Sequence, residues 1–163
     1  MISSADPARN AVMAKEQIDT VFHDVFADRL GYVLRRASGV MMGALGGALA
    51  RVELRPVEAT ILILIGANPG SSQSDVGRVL GIKRANMVPL IAGLITKDLI
   101  KKSPADGRSH ALSLTDQGIA RRDAADAIML EHERRFEAFL APELAEPLRA
   151  ALARLAAADG GPA

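Results

Sequence analysis

The residues best suited by type and spacing to do chemistry lie in one run, Ser72-Gln-Ser-Asp-Val-Gly-Arg-Val-Leu-Gly-Ile-Lys-Arg-Ala-Asn86. Arg84 and Asn86 fall in the first turn of a helix predicted to begin at Lys83. In a helix inserted end-on into the DNA major groove that turn meets base edges, where arginine favours guanine and asparagine adenine. The alternative is contact with phosphates only, which take half or more of protein–DNA hydrogen bonds. Gln73 and Ser74 open the preceding helix and offer amide, hydroxyl and backbone N–H groups to a phosphate. Lys101 and Lys102 follow on a predicted hairpin as phosphate neutralisers, and His110 is uncommitted.

These side chains need rigid positions, and the flanking residues are of the kind that supply them. Ser72 with Asp75 forms a capping-box pattern, with Asp where Glu is usual. Gly81 suits the left-handed residue that ends a short helix before the next begins. Gly77 is expected on the inner face, where the missing Cβ lets the second helix pass close by, and Val76, Leu80, Ile82, Met87 and Leu90 supply a small core. A capped helical hairpin alone would fit any all-α protein; the continuation narrows the choice. Leu99 to Leu114 reads as two short strands around a turn tipped by Asp106-Gly107, and Thr115 caps the next helix. From Gly77 to His110 seven Lys/Arg stand against two Asp, a net of +5 in a chain of net +1, leaving −4 elsewhere. A basic segment in an otherwise mildly acidic protein is the footprint of a phosphate-binding face.

The order of elements, the Gly77/Gly81 spacing, Asp106-x-Arg108 at the hairpin tip and the Leu112-Ser-Leu-Thr-Asp-Gln-Gly118 exit resemble the MarR family of bacterial winged helix-turn-helix transcription regulators. The likeness covers most of the chain, from Leu30 to Leu155, and is most specific between Leu54 and Gly118. It implies a mainly α fold with a small β-hairpin wing: a winged helix-turn-helix lobe plus a helical dimerisation layer. It also implies that Arg108 is a minor-groove arginine, oriented or braced by Asp106, since an arginine at a hairpin tip reaches a narrow A·T-rich groove; the alternative is a solvated turn with an incidental ion pair of small value. Pro89 departs from the pattern, because inside the second helix it removes the bond to the Ala85 carbonyl and can bend the axis.

The resemblance divides the chain into an N-terminal arm and dimerisation helices (1–53), a DNA-binding lobe (54–114) and C-terminal dimerisation helices (115–163). Apolar positions from Lys15 to Phe26 repeat at helical spacing, as an arm that steadies a dimer or closes over a ligand. A broad apolar stripe from Leu30 to Val52 carries Gly43, Gly46 and Gly47, tolerable if other helices approach closely there. Pro56 suits the first turn of a core helix containing Ile61 to Ile65. Beyond Thr115, Ile119 to Leu140 and Pro142 to Ala157 read as two helices, the second with Leu144, Leu148, Leu152 and Leu155 on one face that needs a partner. A homodimer follows.

In the family, effectors bind in a crevice between the dimerisation helices and the DNA-reading lobe, and are often organic anions or aromatic acids. Here Arg35-Arg36, after Tyr32 and before Met41 and Met42, offers two positive charges beside soft apolar walls for a carboxylate or the phosphates of a coenzyme A thioester. The alternative is that both arginines pair with acids such as Asp28 or reach solvent. The expected function is thus a repressor released from a pseudo-palindromic operator on double-stranded DNA by an aromatic acid or acyl-coenzyme A. The competing reading is an effector-independent DNA-binding or protein-docking adaptor on the same fold.

Catalysis finds no support: there is no glycine-rich phosphate loop after a strand, and no serine has a paired His and acid at recognisable spacing. His23, His110 and His132 are scattered, and a metal site would require the fold to join His132 to His23 and Asp24. No enzyme activity, cofactor or metal is expected. The absence of cysteine removes disulfides and thiol switches, and with them the peroxide-sensing branch of the family. With no signal peptide and no uninterrupted 18-residue apolar run, no membrane association is expected and the location is cytoplasmic.

Overall fold

Residues 23–104 and 110–158, those described in the computed structural model, form six α-helices and a two-stranded hairpin. Most of the expected N-terminal arm, and the wing tip with Asp106 and Arg108, lie outside the described residues. The chain divides into two units, Met1–Val40 and Met41–Ala163. Helix α1 (Leu30–Leu49) begins in the first and ends in the second, and is followed by a 3-10 turn, Ala50–Val52. Then come α2 (Pro56–Ala67), α3 (Gln73–Val79), α4 (Arg84–Thr96), β1 (Ile100–Pro104), β2 (His110–Leu114), α5 (Asp116–Glu137), a 3-10 turn at Pro142–Leu144 and α6 (Ala145–Ala158). No single described helix is long and apolar enough to cross a membrane.

The core of the second unit gathers one face from each element. Leu45 and Leu49 of α1, Ile61, Leu62 and Ile65 of α2, Val76 of α3, Met87, Ile91 and Leu94 of α4, Ile100 and Leu112 of the hairpin and Ala125 of α5 are all buried. The five consecutive aliphatics of α2 are therefore a helix with three inward positions and two half-buried ones, and Pro56 opens it at the first turn, as its sequence predicts. A Cβ at Gly43, Gly46 or Gly47 would meet no described atom within 4 Å, so the described residues make no close approach to these glycines.

Three backbone junctions fix the hairpin. β1 and β2 pair antiparallel in the register Ile100↔Leu114 to Pro104↔His110. On the other edge of β2, Gly70 N–H donates to Leu112 O at 3.0 Å and Leu112 N–H donates to Ser71 O at 2.9 Å, which ties the loop before α3 to the wing. At the exit, the Thr115 hydroxyl accepts from Gly118 N–H at 2.9 Å and donates to Asp98 O at 2.6 Å. Capping α5 and anchoring the end of α4 are thus one contact.

A buried acid links α2 to α4. Glu58, 3% exposed, accepts from Arg55 N–H at 2.8 Å, from the Arg55 guanidinium at 3.3 Å and from Lys97 Nζ at 3.0 Å. Lys97 also donates to Glu53 O at 3.1 Å, and Arg121 of α5 reaches Val52 O at 2.6 Å and Glu53 Oε2 at 3.1 Å. Burial pushes the Glu58 carboxyl up, but the Arg55 backbone and side chain and the Lys97 ammonium together outweigh it and hold it below its ordinary 4.5. Because the folded value is depressed, this stabilisation is fully present above about pH 4.5 and is lost as pH falls through the folded value. Urea midpoints should show it: wild type should exceed Glu58→Gln by a constant margin from pH 6 to 8, about 1.5 to 3 kcal/mol for hydrogen bonds to a buried charge. That margin should shrink in more acid solution.

Candidate nucleic-acid interface

The axes of α3 and α4 are bent by 117°, within the roughly 90–120° of a helix-turn-helix. Local chemistry sets this angle. The Ser72 hydroxyl accepts from Asp75 N–H at 3.2 Å and donates to Asp75 Oδ2 at 2.7 Å, while Ser72 N–H donates to the same carboxylate oxygen at 3.2 Å, the reciprocal cap expected of this pair. Hydrogen bonds from Ser72 are the largest influence holding the Asp75 carboxyl below its ordinary value. Gly81 adopts φ +64° at the turn, and Ile82 N–H donates to Gly77 O at 2.9 Å. A Cβ on Gly77 would lie 3.0 Å from Ile82 O and 3.1 Å from Met87 Cγ, so the close passage of the second helix is real.

Lys83 caps α4 with extended backbone, which puts Arg84, Ala85 and Asn86 in its first turn. All four are exposed. Gln73 and Ser74 of α3 meet Arg84 across a cleft of about 180 Å³ that also touches Gly77, Arg78 and Met87. Three of the residues predicted to face DNA are therefore brought together. Lys101 and Lys102 stand exposed on β1, opposite Ser113 and Leu112. Lys83, Arg84, Lys101 and Lys102 form no ion pair among the described residues, and so are available to phosphates or bases.

The same geometry withdraws two cations from the apparent surplus. Arg78 pairs with Asp75 at 2.9 Å, and Lys97 turns to the buried Glu58. Pro89 does not break α4, which runs unbroken from Arg84 to Thr96 with Met87, Ile91 and Leu94 inward.

Of the residues considered for an effector, Tyr32, Arg35 and Arg36 gather in the first unit. The two guanidinium carbons lie 5.3 and 5.7 Å from the Tyr32 ring centroid, and Tyr32 leans on Phe26 at 5.6 Å. Arg36 also meets an acid, at 3.4 Å, but the acid is Asp24 rather than Asp28. Met41 is half-buried and Met42 exposed in the second unit.

Sequence reasoning missed a cleft of about 330 Å³ between the second half of α1 and α5, lined by Ala44, Ala48, Arg51, Ile128, His132 and Arg135. His132 is 7% exposed and packs on Phe136 at 4.7 Å. No short-range motif marks these residues; only the helical periods of two distant segments, superposed, would have shown them on facing sides.

The chain is similar over most of its length to proteins of known structure. The transcriptional repressor CouR bound to a 23-mer DNA duplex is 33% identical, with a TM-score of 0.77 over 83% of this chain and 98% of CouR. CouR bound to p-coumaroyl-CoA is 30% identical over 83% and 97%, with a TM-score of 0.76. PcaV of Streptomyces coelicolor, in complex with its natural ligand, shares the fold at 24% identity over 85% and 99%, with a TM-score of 0.74. Residues 53–109, from the residue before Leu54 to the hairpin tip, match the profile of the MarR family. A capped helix pair bent at Gly81, a basic hairpin fastened through Thr115 and Gly118, and 33% identity across nearly all of a known repressor agree: the chain belongs to the MarR family of DNA-binding transcription regulators.

Proposed function

We propose that this regulator is a two-fold dimeric repressor, acting in the cytoplasm, that leaves a pseudo-palindromic operator when a small organic anion binds, an aromatic acid or its coenzyme A thioester. In this reading residues 54–114 read DNA, and residues 1–53 and 115–163 form the dimerisation layer. The dimer is supported by a leucine stripe that the described residues leave partly bare: Leu144 of the preceding 3-10 turn and Leu148, Leu152 and Leu155 of α6 are 53, 43, 37 and 48% exposed. Such a stripe on a monomer is a face awaiting a partner.

The observation that carries the effector is the pair of guanidinium groups over Tyr32. Two guanidinium groups gathered on one ring suit an organic anion, which would share Arg36 with Asp24, and CouR, 30% identical, has been seen with an aromatic acyl-coenzyme A. A ligand shifts a population only by its differential affinity for two states, and the usual coupling of about 1 to 3 kcal/mol changes operator affinity roughly 5- to 150-fold. Fluorescence anisotropy of a labelled operator, titrated with p-coumarate, p-coumaroyl-coenzyme A and related acids, should show release of that size by at least one of them. Arg35→Gln with Arg36→Gln should abolish the release and leave effector-free binding nearly unchanged. If no acid or thioester alters either operator affinity or melting temperature, the effector-independent adaptor is the correct reading.

A further inference from the structure

Helix α4 is apolar on two sides. Met87, Ile91 and Leu94 are buried in the core. Away from them Ala85, Val88, Pro89 and Ala92 are all exposed, at the i, i+3, i+4, i+7 spacing that makes one helix face. Val88 is 52% exposed. A second apolar stripe left in solvent on a helix whose first stripe already fills the core is a face suited to an occupant.

The occupant follows from where the stripe lies. It starts in the first turn of α4, between Arg84 and Asn86, on the helix assigned to the major groove, and the cations that adjoin it, Lys83 and Arg84, form no ion pair among the described residues. Beyond Asn86, the next two turns of that face present hydrocarbon only. Among major-groove base edges one group is hydrocarbon, the C5 methyl of thymine. We infer that the Ala85–Val88–Pro89–Ala92 stripe reads thymine methyls, with Val88 the principal specificity residue, so that each half-site carries thymines beside the bases met by Arg84 and Asn86. Cationic surroundings favour this occupant over an apolar partner protein, which would gain nothing from them.

The inference rests on the DNA-binding reading, and the test separates the two. A duplex selected from a random pool by the full-length protein is resynthesised with uracil for thymine, which removes only the methyl. Wild type should lose about fourfold in affinity per contacted methyl, the fold-change of ~0.8 kcal/mol per buried carbon, and the square of that when both half-sites are changed. Val88→Ala, an exposed change to a better helix former, should melt like wild type and lose most of its thymine-over-uracil preference. Equal binding of thymine and uracil duplexes by wild type overturns the inference and leaves DNA binding intact, as does a Val88→Ala protein that keeps the full preference. A change of oligomeric mass in Val88→Ala together with indifference to uracil assigns the stripe to a protein partner instead. Failure to enrich any duplex overturns the DNA-binding reading and this one with it.

Discussion

Gly118→Ala should destabilise the protein by about 4 kcal/mol or more, enough to lower its melting temperature by more than about 10 °C in a chain of this size. A Cβ at Gly118 would lie 1.8 Å from Leu99 O and 2.8 Å from Leu99 C. The obstacle is backbone, so no rotamer change relieves it. Nor can the segment move freely: Leu99 is 3% exposed, its carbonyl accepts from Thr115 N–H at 3.2 Å, and Gly118 N–H is the donor to the Thr115 hydroxyl. Relief therefore means separating α5 from the start of the hairpin, which undoes the helix cap and the anchor on Asp98 together. Two other glycines calibrate the effect. Gly77→Ala meets atoms at 3.0 and 3.1 Å and should cost about 1 to 3 kcal/mol, the ordinary range for overpacking. Gly46→Ala, with no described atom within 4 Å of the added carbon, should gain up to about 1 kcal/mol from helix propensity. Thermal melts of the three variants check the order, and a Gly118→Ala protein that melts like wild type would refute this account of the hairpin junction.

The second large effect concerns sequence discrimination. Arg84→Ala with Asn86→Ala should erase most of the preference for the operator over unrelated DNA. Each bidentate base contact contributes about 1 to 3 kcal/mol, and two residues in each subunit of the proposed dimer would make four contacts, together about 4 to 12 kcal/mol. Specific binding usually exceeds non-specific binding by about 4 to 10 kcal/mol, so the loss is comparable with the whole preference. Binding itself should persist, because Lys83, Lys101 and Lys102 remain exposed and unpaired with any described acid. Their contribution should appear as a steep salt dependence, each phosphate neutralised adding about 0.9 to the slope of log affinity against log salt.

The helix-turn-helix was legible because its signals are local: a capping pair three residues apart, a glycine needing positive φ, and a hairpin bounded by Leu99 and Leu114. Charge counting was less faithful. Arg78 and Lys97 entered the net charge of the basic segment, yet Asp75 is one helical turn from Arg78, and the acid that takes Lys97 is Glu58, 39 residues upstream in the chain. Only a three-dimensional contact reveals the latter. Gly118 stood in the recognised exit motif, but its role depends on a carbonyl brought against it by the fold. The small residues of α1 meet no described neighbour, since glycine in a helix permits close approach without requiring it. The outward apolar face of α4 was written in the sequence, but its meaning needed the core face to be fixed first.

Competition between a selected operator and a scrambled duplex of equal length, measured by fluorescence anisotropy at fixed salt for wild type and for Arg84→Ala/Asn86→Ala, tests the DNA-reading face most directly. Wild type should prefer the operator by about 10³-fold or more, and the double variant should bind both duplexes with nearly the affinity that wild type has for the scrambled one. A double variant that keeps the wild-type preference would show that the first turn of α4 does not read the bases.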